Sequence, residues 1–393
     1  MEIIVHRGTH QIGGCATEIR TKTTRILIDF GAELPNEDGT VQDDILEIEG
    51  INGGGAICDA VFFTHSHGDH MGLLEKIPPE VPAYMSVLSK QLLLTLHTRI
   101  RSPLIESLHR VQVFTPLVAI SVGDIRIIPI PTDHSAYDAC MFLIEADGKR
   151  ILHTGDFRLH GFRSKSTKKI LKKHVEQIDL LICEGTQLSR DGAITQTEHE
   201  LQADMRQIIR ENKYVFAVCA STNIDRLASL HNATPRGRYF LCDAYQRDVF
   251  HIVSEETKSE YYRFQKALVY GKNLPIRERG FVMPVRNNAF FRNIMGEYLS
   301  TGKVMLIYSM WEGYLNMPGM GMADFVRPFA ESGNFIVAHT SGHATVDALR
   351  QLHEWLPCKW ILPIHTEMPE KLEVLFADAT IVNLEDGMPF SLS

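Results

Sequence analysis

Short runs in which apolar and polar residues alternate open the chain. The segments Ile3–Val5, Thr17–Ile19 and Arg25–Asp29 predict three strands joined by short turns, which is typical of the start of an antiparallel sheet. Ala60–Thr64 is a continuous apolar run and predicts a buried strand. Further strands are predicted at Ile125–Ile130, Cys140–Ala146, Arg150–His153 and Leu180–Cys183, and helices at Gly72–Ile77, Leu88–Thr98 and Ser166–Gln177.

The pattern changes near residue 190. Glu198–Glu211 has apolar side chains at helical spacing, and strands and helices then alternate as far as Gln246–Ser254, which is typical of a small parallel α/β unit. Residues 255–285 are polar and are predicted to be irregular. Later elements are strands at Val304–Tyr308, Phe335–Ala338, Trp360–Pro363 and Thr380–Asn383, and helices at Asn287–Leu299, Thr345–Leu356 and Pro369–Ala377.

Composition narrows the class of protein. The 393 residues suggest two or three domains and a sizeable core. Seven cysteines without a CxxC pair indicate reduced thiols, and the N-terminus lacks the apolar stretch of a signal peptide, so we expect a cytoplasmic protein. No apolar run is long enough to span a membrane. The net charge of −8 argues weakly against a surface coated for nucleic acid, although it says little about a local groove.

The 18 histidines carry the chemistry, and four candidate ligands lie close together in His65-Ser-His67-Gly-Asp69-His70. In extended backbone, residues two apart point the same way, so His65 and His67 can share one metal. Asp69 and His70 fall at the start of the predicted helix and can point to a second metal. Imidazole and carboxylate ligands suit Zn²⁺, or Mn²⁺ in an oxygen-rich site. The alternative is a polar loop with histidines there by chance.

Other candidates follow predicted strands. His134 follows Ile125–Ile130, Asp156 follows Arg150–His153, and His365 ends Trp360–Pro363. A carboxylate at Asp156 could bridge two metals, as two-metal sites require. His343 lies in Ser341-Gly342-His343 before a predicted helix. Alone, each of these histidines is as easily a structural residue as a functional one.

Taken together, these motifs resemble the metallo-β-lactamase fold, and within it the β-CASP nucleases that include ribonuclease J. The resemblance rests on HSHGDH, His134, Asp156 in TGDF, Glu184 in ICEGT, Ser-Gly-His at 341–343 and His365 in PIHTE. It implies an αββα sandwich of α/β class with an inserted β-CASP α/β domain. The sandwich would comprise residues 1–190 and 335–393, and the inserted domain residues 191–334.

The resemblance also implies roles for single residues. One metal would bind His65, His67 and His134, and the other Asp69, His70 and His365, with Asp156 bridging. Glu184 would orient a ligand histidine, and His343 would contact the scissile phosphate. Ser221, Thr222, Asn223, Ser341 and Gly342 would bind substrate phosphate. Asn223 also fits a simple helix cap, and Arg226, one turn on, fits either a phosphate contact or a surface salt bridge.

The expected activity is hydrolysis of phosphodiester bonds with two bound divalent ions, and the expected partner and substrate is RNA. Zn²⁺ is the preferred candidate for these ions, and Mn²⁺ is the alternative. A DNA nuclease of the same fold, a non-catalytic member that binds nucleic acid or a partner, and a small-molecule hydrolase stay open. A homodimer is possible. Two basic stretches could line a nucleic-acid path or form solvated surfaces; they comprise Arg163, Lys165, Lys168, Lys169, Lys172 and Lys173, and Lys272, Arg277, Arg279, Arg286 and Arg292. The Met- and Gly-rich segment Met310–Met322 fits either a mobile flap or core filler.

Overall fold

The computed structural model describes residues 1–36, 38–40, 45–190, 196–271 and 274–393. Lys272 and residues 191–195, where the inserted domain was predicted to begin, lie outside the described residues. The described strands form two seven-stranded sheets and one six-stranded sheet.

The first part of the chain alternates strands with four helices. Its strands are β1 (Glu2–Arg7), β2 (Ala16–Arg20), β3 (Arg25–Ile28), β4 (Ala60–Phe62), β5 (Ala83–Ser86), β6 (Gln112–Phe114), β7 (Ile120–Val122), β8 (Ile125–Pro131), β9 (Cys140–Ala146), β10 (Lys149–His153) and β11 (Leu180–Glu184). Its helices are α1 (Gly68–Met71), α2 (Val87–Ile100), α3 (Leu104–Arg110) and α4 (Ser164–His174), and short 3₁₀ turns lie at Leu74–Lys76 and Thr186–Ser189.

The middle part is an α/β unit. Its strands are β12 (Tyr214–Val218), β13 (Tyr239–Cys242), β14 (Ala267–Val269), β15 (Phe281–Val285), β16 (Val304–Tyr308) and β17 (Phe335–Val337). Its helices are α5 (Glu198–Glu211), α6 (Ile224–Ala233), α7 (Ala244–Glu256), α8 (Ile276–Arg279), α9 (Ala289–Leu299), α10 (Gly313–Asn316) and α11 (Met322–Glu331), with a 3₁₀ turn at Glu260–Tyr262. The last part contributes α12 (Val346–Trp355), β18 (Trp360–Ile364), α13 (Lys371–Leu375), β19 (Thr380–Ile381) and β20 (Pro389–Ser391).

Two sheets pack face to face as a sandwich. The first has the order β20-β1-β2-β3-β4-β5-β6 and the second the order β19-β18-β11-β10-β9-β8-β7. The antiparallel start predicted for the first three strands is confirmed. Their inner faces share one apolar core that includes Ile26 and Phe62 of the first sheet and Phe142 and Ile182 of the second.

Helices cover both outer faces of the sandwich. Leu93 of α2 and Leu108 of α3 pack on the first sheet, while Leu171 of α4 and Leu352 of α12 pack on the second. Burying a sheet face against a helix face in this way gives four layers, helix, sheet, sheet and helix. The αββα class predicted from the sequence is therefore confirmed.

The inserted unit is built on a parallel sheet of order β14-β13-β15-β12-β16-β17, as its strand–helix alternation predicts. Two predictions need correction. Residues 335–337 were assigned to the returning sandwich, but β17 pairs with β16, so the inserted unit extends past residue 334. The two crossing segments lie side by side, because the Thr340 hydroxyl donates to the Gln196 carbonyl at 2.5 Å.

The second correction concerns residues 255–285, which were predicted to be irregular. Phe281–Val285 is instead the buried strand β15, lying between β12 and β13. Pro284 conceals the strand in the sequence, since proline is depleted from central strands. The ladder between β15 and β13 ends at Val282, so no bond on that side is required of Pro284.

Candidate metal centre

The predicted ligands converge at one edge of the sandwich. The HSHGDH loop follows β4, and Asp156, Glu184 and His365 lie at or just beyond the ends of β10, β11 and β18. These three strands are parallel neighbours, so their carboxyl ends meet at the same edge. Residues that lie more than 200 positions apart in the sequence are thus brought to one place.

The first group comprises His65, His67, His134 and Asp156, whose candidate ligand atoms all lie within 4.8 Å of one another. His67 Nδ1 lies 3.0 Å from His65 Nε2 and 3.2 Å from His134 Nε2. The Oδ2 atom of Asp156 lies 3.7 Å from His65 Nε2 and 3.8 Å from His134 Nε2. These are the residues that the sequence predicts for one metal.

The second group centres on His70. Its Nε2 atom lies 3.2 Å from Asp156 Oδ2 and 3.9 Å from Asp69 Oδ2. The Nε2 atom of His365 lies 3.2 Å from Asp69 Oδ2, and its Nδ1 atom lies 3.9 Å from Asp156 Oδ1. Asp156 therefore faces both groups, as the bridging prediction requires.

Local backbone and hydrogen bonds hold the second group in place. His365 has a φ of 51°, which is uncommon outside glycine, and its N–H donates to the Gly8 carbonyl at 2.7 Å. His70 Nδ1 donates to Asp29 Oδ2 at 2.8 Å, and the same carboxylate accepts from the Thr64 backbone and hydroxyl. Such a carboxylate fixes the tautomer and leaves Nε2 of His70 free to bind a metal.

Several buried polar atoms of the site lack a hydrogen-bond partner among the described residues. They are both carboxylate oxygens of Asp156 and the Nε2 atom of His70. A buried carboxylate that accepts no hydrogen bond is costly unless cationic groups compensate its charge. The donor set of imidazoles and carboxylates, with its unsatisfied atoms pointing inward, therefore fits two divalent metal ions.

The ionisation of the first group also suits a metal. Burial lowers the pKa values of His65, His67 and His134, so these imidazoles are neutral, which is the form that binds metal. Burial acts to raise the pKa of Asp156, but His365, His70 and His343 outweigh it and hold that pKa well below its usual range. Asp156 is therefore ionised and presents a carboxylate at the proposed bridging position.

His343 keeps contact with solvent, with 22% of its side chain exposed. Its Nδ1 atom lies 3.4 Å from Glu184 Oε2 and 3.6 Å from Asp156 Oδ2. Burial acts to lower its pKa, but Glu184 and Asp156 outweigh that effect and raise it to about 9. These two carboxylates therefore favour the protonated form of the imidazole.

Glu184 pairs with His343, and its carboxylate also lies within 4.8 Å of ligand atoms of Asp156 and His365. Its Oε1 atom accepts from the backbone N–H groups of Phe157 and Ala344, and its Oε2 atom from that of Thr186. The ligand His365 is approached by the Thr186 hydroxyl, 2.7 Å from Nδ1. Glu184 thus ties together the Asp156 turn and the segment that carries His343.

The segment Ser341-Gly342 supports the site through its carbonyl groups. Gly342 accepts from Nδ1 of His134 at 2.6 Å, and Ser341 accepts from Arg158 and from His160. A Cβ at Gly342 would lie 2.7 Å from the Ser135 hydroxyl, so the close approach requires glycine. Helix α12 starts later, with Thr345 as its cap, so His343 does not cap this helix.

Ser221, Thr222 and Asn223 lie beside the site, since Asn223 forms an isolated bridge with Ala136, two residues after His134. The Asn223 side chain accepts from Arg226 N and caps α6, as the simpler interpretation held. The Ser221 hydroxyl accepts from Arg286 at 3.1 Å. Both interpretations of Arg226 are wrong, because its side chain is fully buried.

Arg226 belongs to a buried ionic network that joins the sandwich to the inserted unit. Glu198 Oε1 accepts from Arg158 at 2.9 Å and from Arg226 at 3.0 Å. Arg158 also donates to Asp133 and Asp225. Arg163 pairs with Asp225 as well, so it does not belong to the exposed surface formed by the lysines of its basic stretch. The sequence did not predict this network, because nothing in the chain around these arginines and carboxylates indicates that they are buried.

One exposed aromatic side chain lies near the site. Trp311 is 41% exposed, with the Arg190 guanidinium 4.9 Å from its ring centre and the Tyr314 ring 5.2 Å away. Burial raises the pKa of Tyr314, and the nearby charge of Asp69 adds to it. Within Met310–Met322 the ends pack into the core, as the core-filler interpretation held, while Trp311 and Met320 face solvent.

This chain is similar to a known protein family and to a solved structure. Residues 24–217 match the family model described as a beta-lactamase superfamily domain. A crystal structure of a protein of unknown function from Enterococcus faecalis V583 matches all of this chain and 99% of its own, with a TM-score of 0.79 and 22% identity. At that identity the likeness shows the fold alone.

The similar curated proteins include ribonucleases J. That of Sinorhizobium meliloti is 22% identical over 91% of this chain and 65% of its own length, and that of Mycobacterium tuberculosis is 24% identical over 58% and 41%. That of Helicobacter pylori is 30% identical over 39% of this chain and 22% of its own. The chain thus spans less than two thirds of these relatives. Among the described residues no helix is long and apolar enough to cross a membrane.

Proposed function

We propose that the protein is a two-metal-dependent nuclease that hydrolyses phosphodiester bonds, with RNA as its substrate. The observation that carries this proposal is the convergence of two ligand groups on the buried carboxylate of Asp156, which accepts no hydrogen bond within the described residues. His65, His67 and His134 would hold one ion and Asp69, His70 and His365 the other. Zn²⁺ suits this ligand set best, and Mn²⁺ is the second choice. When bound, two such ions supply an activated water and stabilise charge on phosphoryl oxygens.

His343 would act on the substrate. Seven other residues make up the proposed ligand set, and His343 lies at the solvent-exposed side of the site. A protonated imidazole there can donate a hydrogen bond to a phosphoryl oxygen or a proton to the leaving oxygen. Glu184 would hold that imidazole in position and favour its charged form.

The surroundings support a nucleic-acid substrate. Trp311, backed by Arg190, offers a flat exposed ring on which a base can stack. On the other side of the site, Arg286 lies beside the Ser221 hydroxyl and could draw a phosphate towards Ser221, Thr222 and Asn223. The site also lies where sandwich and inserted unit meet, and such an interface is a common place for a substrate cleft. The ribonuclease J relatives favour RNA over DNA.

Two other functions remain as alternatives. A DNA nuclease would need the same site, and a non-catalytic binding protein would not need all seven ligands in place, as they are here. Parallel digestion of end-labelled RNA and DNA oligonucleotides of matched sequence, each with Zn²⁺ and with Mn²⁺, separates the three. The proposal predicts cleavage of RNA well before that of DNA. Preferred cleavage of DNA, or binding of RNA without cleavage under all conditions, would overturn it.

A further inference from the structure

Cys15 lies at the second ligand group, although no cysteine was expected there. It lies just ahead of β2, and its Sγ atom and one ring nitrogen each of His70 and His365 lie within 4.8 Å of one another. All three side chains are buried. Two ligands at about 2.1 and 2.3 Å from a shared zinc ion are at most about 4.4 Å apart, so a small adjustment lets all three bind one ion.

The backbone holds Cys15 against Asp69, another proposed ligand of the same ion. The Cys15 N–H donates to the Asp69 carbonyl at 3.0 Å, and the Cys15 carbonyl accepts from Gly31 at 2.9 Å. A Cβ built on Gly8 would lie 3.8 Å from the Sγ atom of Cys15 and 3.6 Å from the backbone nitrogen of His365. The thiol therefore occupies a fixed position between the start of the sandwich and the last ligand.

The Cys15 thiol differs from most other thiols in the protein in its hydrogen bonding. Five of the other six cysteines, all buried, donate their S–H to a backbone carbonyl; these are Cys58, Cys140, Cys183, Cys242 and Cys358. Cys15 makes no such bond within the described ranges. The Nε2 atom of His70, in the same group, is also buried and lacks a partner there. Two buried groups that lie in one ligand group without a hydrogen bond point to a shared metal ion.

We infer that Cys15 is a ligand of the second metal ion and makes that position selective for Zn²⁺ over Mn²⁺. The inference rests on the proposed two-metal site. On binding, the thiol loses its proton to solvent and the sulfur lone pair forms the bond to the ion. A set of sulfur, carboxylate and two imidazoles is typical of zinc, whereas Mn²⁺ prefers oxygen ligands. The position of Cys15 thus explains how one of two adjacent sites could reject Mn²⁺.

Cobalt substitution tests the inference, because a thiolate bound to Co²⁺ gives a sulfur-to-metal charge-transfer band in the near ultraviolet. The full chain is stripped of metal, loaded with Co²⁺ and analysed for metal content. We expect two ions per chain and a charge-transfer band, and we expect Cys15→Ser to lose the band. Cys58→Ser is the matched control, since Cys58 is 2% exposed and Cys15 3%, but Cys58 bonds to the Arg25 and Ala60 carbonyls.

The outcomes separate this inference from the proposed function. Two bound ions without the band, or a band that survives in both Cys15→Ser and Cys15→Ala, would overturn the role of Cys15 and leave the two-metal site standing. No bound cobalt at all would overturn both. Chelator competition gives a second readout: Cys15→Ser should weaken the second Zn²⁺ by at least about tenfold while changing Mn²⁺ binding little. Equal losses of affinity for Zn²⁺ and for Mn²⁺ in Cys15→Ser would contradict the inferred selectivity.

Discussion

The Nδ1 atom of His134 donates a hydrogen bond to the carbonyl oxygen of Gly342, 2.6 Å away and 208 positions later in the chain. Because Nδ1 carries the proton, the lone pair of His134 is on Nε2, which faces His67 and Asp156. The segment that returns from the inserted unit thus sets the tautomer of a proposed metal ligand. The same segment carries His343, so the proposed substrate contact and the proposed metal ligand His134 depend on one stretch of backbone.

The two ligand groups predict distinct losses of metal. Purified without chelators, the protein should contain two ions per chain. Asp69→Ala should lose mainly one of them, since Asp69 faces only the second group, whereas Asp156→Asn should disturb both. Elemental analysis of the three proteins checks this. Full metal content in Asp156→Asn would contradict the bridging role, as would a wild-type protein that takes up no Zn²⁺ or Mn²⁺.

His343→Ala separates chemistry from metal binding. Removing a proton donor or electrostatic contact should lower single-turnover cleavage by about 10²–10⁴-fold, with two metals and the fold retained. Thr345→Ala is the control, because Thr345 caps α12 and should cost about 1 kcal/mol of stability while leaving the rate nearly unchanged. A rate in His343→Ala equal to that of Thr345→Ala would remove the catalytic role, and loss of a metal would make His343 a ligand.

The ionic network around Glu198 predicts acid sensitivity. Burial acts to raise the pKa of Glu198, but Arg226 and Arg158 outweigh it and lower it to about 2 from 4.5. A depressed folded-state pKa stabilises the fold above the unfolded-state pKa, so this contribution should fade as pH drops from about 4.5 towards 2.

Glu198→Gln should therefore lower the free energy of unfolding at pH 7 by about 3–5 kcal/mol, since it leaves buried arginine charge unpaired, and should show a weaker acid dependence. Glu200→Gln, on the exposed face of the same helix, should change stability by less than about 0.5 kcal/mol. Denaturant unfolding at several pH values makes the comparison. Equal stabilities of the two variants at pH 7 would show that the network contributes nothing.

Trp311→Ala should weaken RNA binding. Stacking of one base on an aromatic ring contributes about 1–3 kcal/mol, so KM for RNA should rise roughly tenfold with little change in kcat. Trp311→Phe should restore most of the affinity, because it keeps an aromatic face. Steady-state kinetics with a short single-stranded RNA provides the measurement, and an unaltered KM in Trp311→Ala would exclude stacking there.

Local sequence pattern was enough to predict the ligand loop and the strands that carry the other proposed ligands. His65, His67, Asp69 and His70 are neighbours in the chain, and His134, Asp156 and His365 follow strands whose apolar runs are easily recognised. The parallel α/β unit followed from the alternation of strands and helices, whereas the αββα class followed from the family resemblance. Family resemblance was needed to combine these residues into one site, since no spacing relates His70 to His365.

Residues whose role depends on tertiary contacts could not be predicted in this way. Cys15 and Asp29 resemble any polar residue at a strand end, and only the closed sandwich brings them to His70. Arg226 was expected at the surface because arginine is rarely buried, yet the inserted unit encloses it with Glu198. Strand β15 was missed because Pro284 disguises it. Each error arose where a long-range contact overrides a local preference.

The most direct test of the central claim follows cleavage and metal content in the same samples. Metal-free protein is titrated with Zn²⁺ to one and then two equivalents, and single-turnover cleavage of end-labelled RNA is measured at each step, with Asp156→Asn in parallel. The account predicts that cleavage reaches its full rate only when two ions per chain are bound, and that Asp156→Asn stays inactive. Full cleavage by the metal-free protein or by Asp156→Asn, or no cleavage with two ions bound, would contradict it.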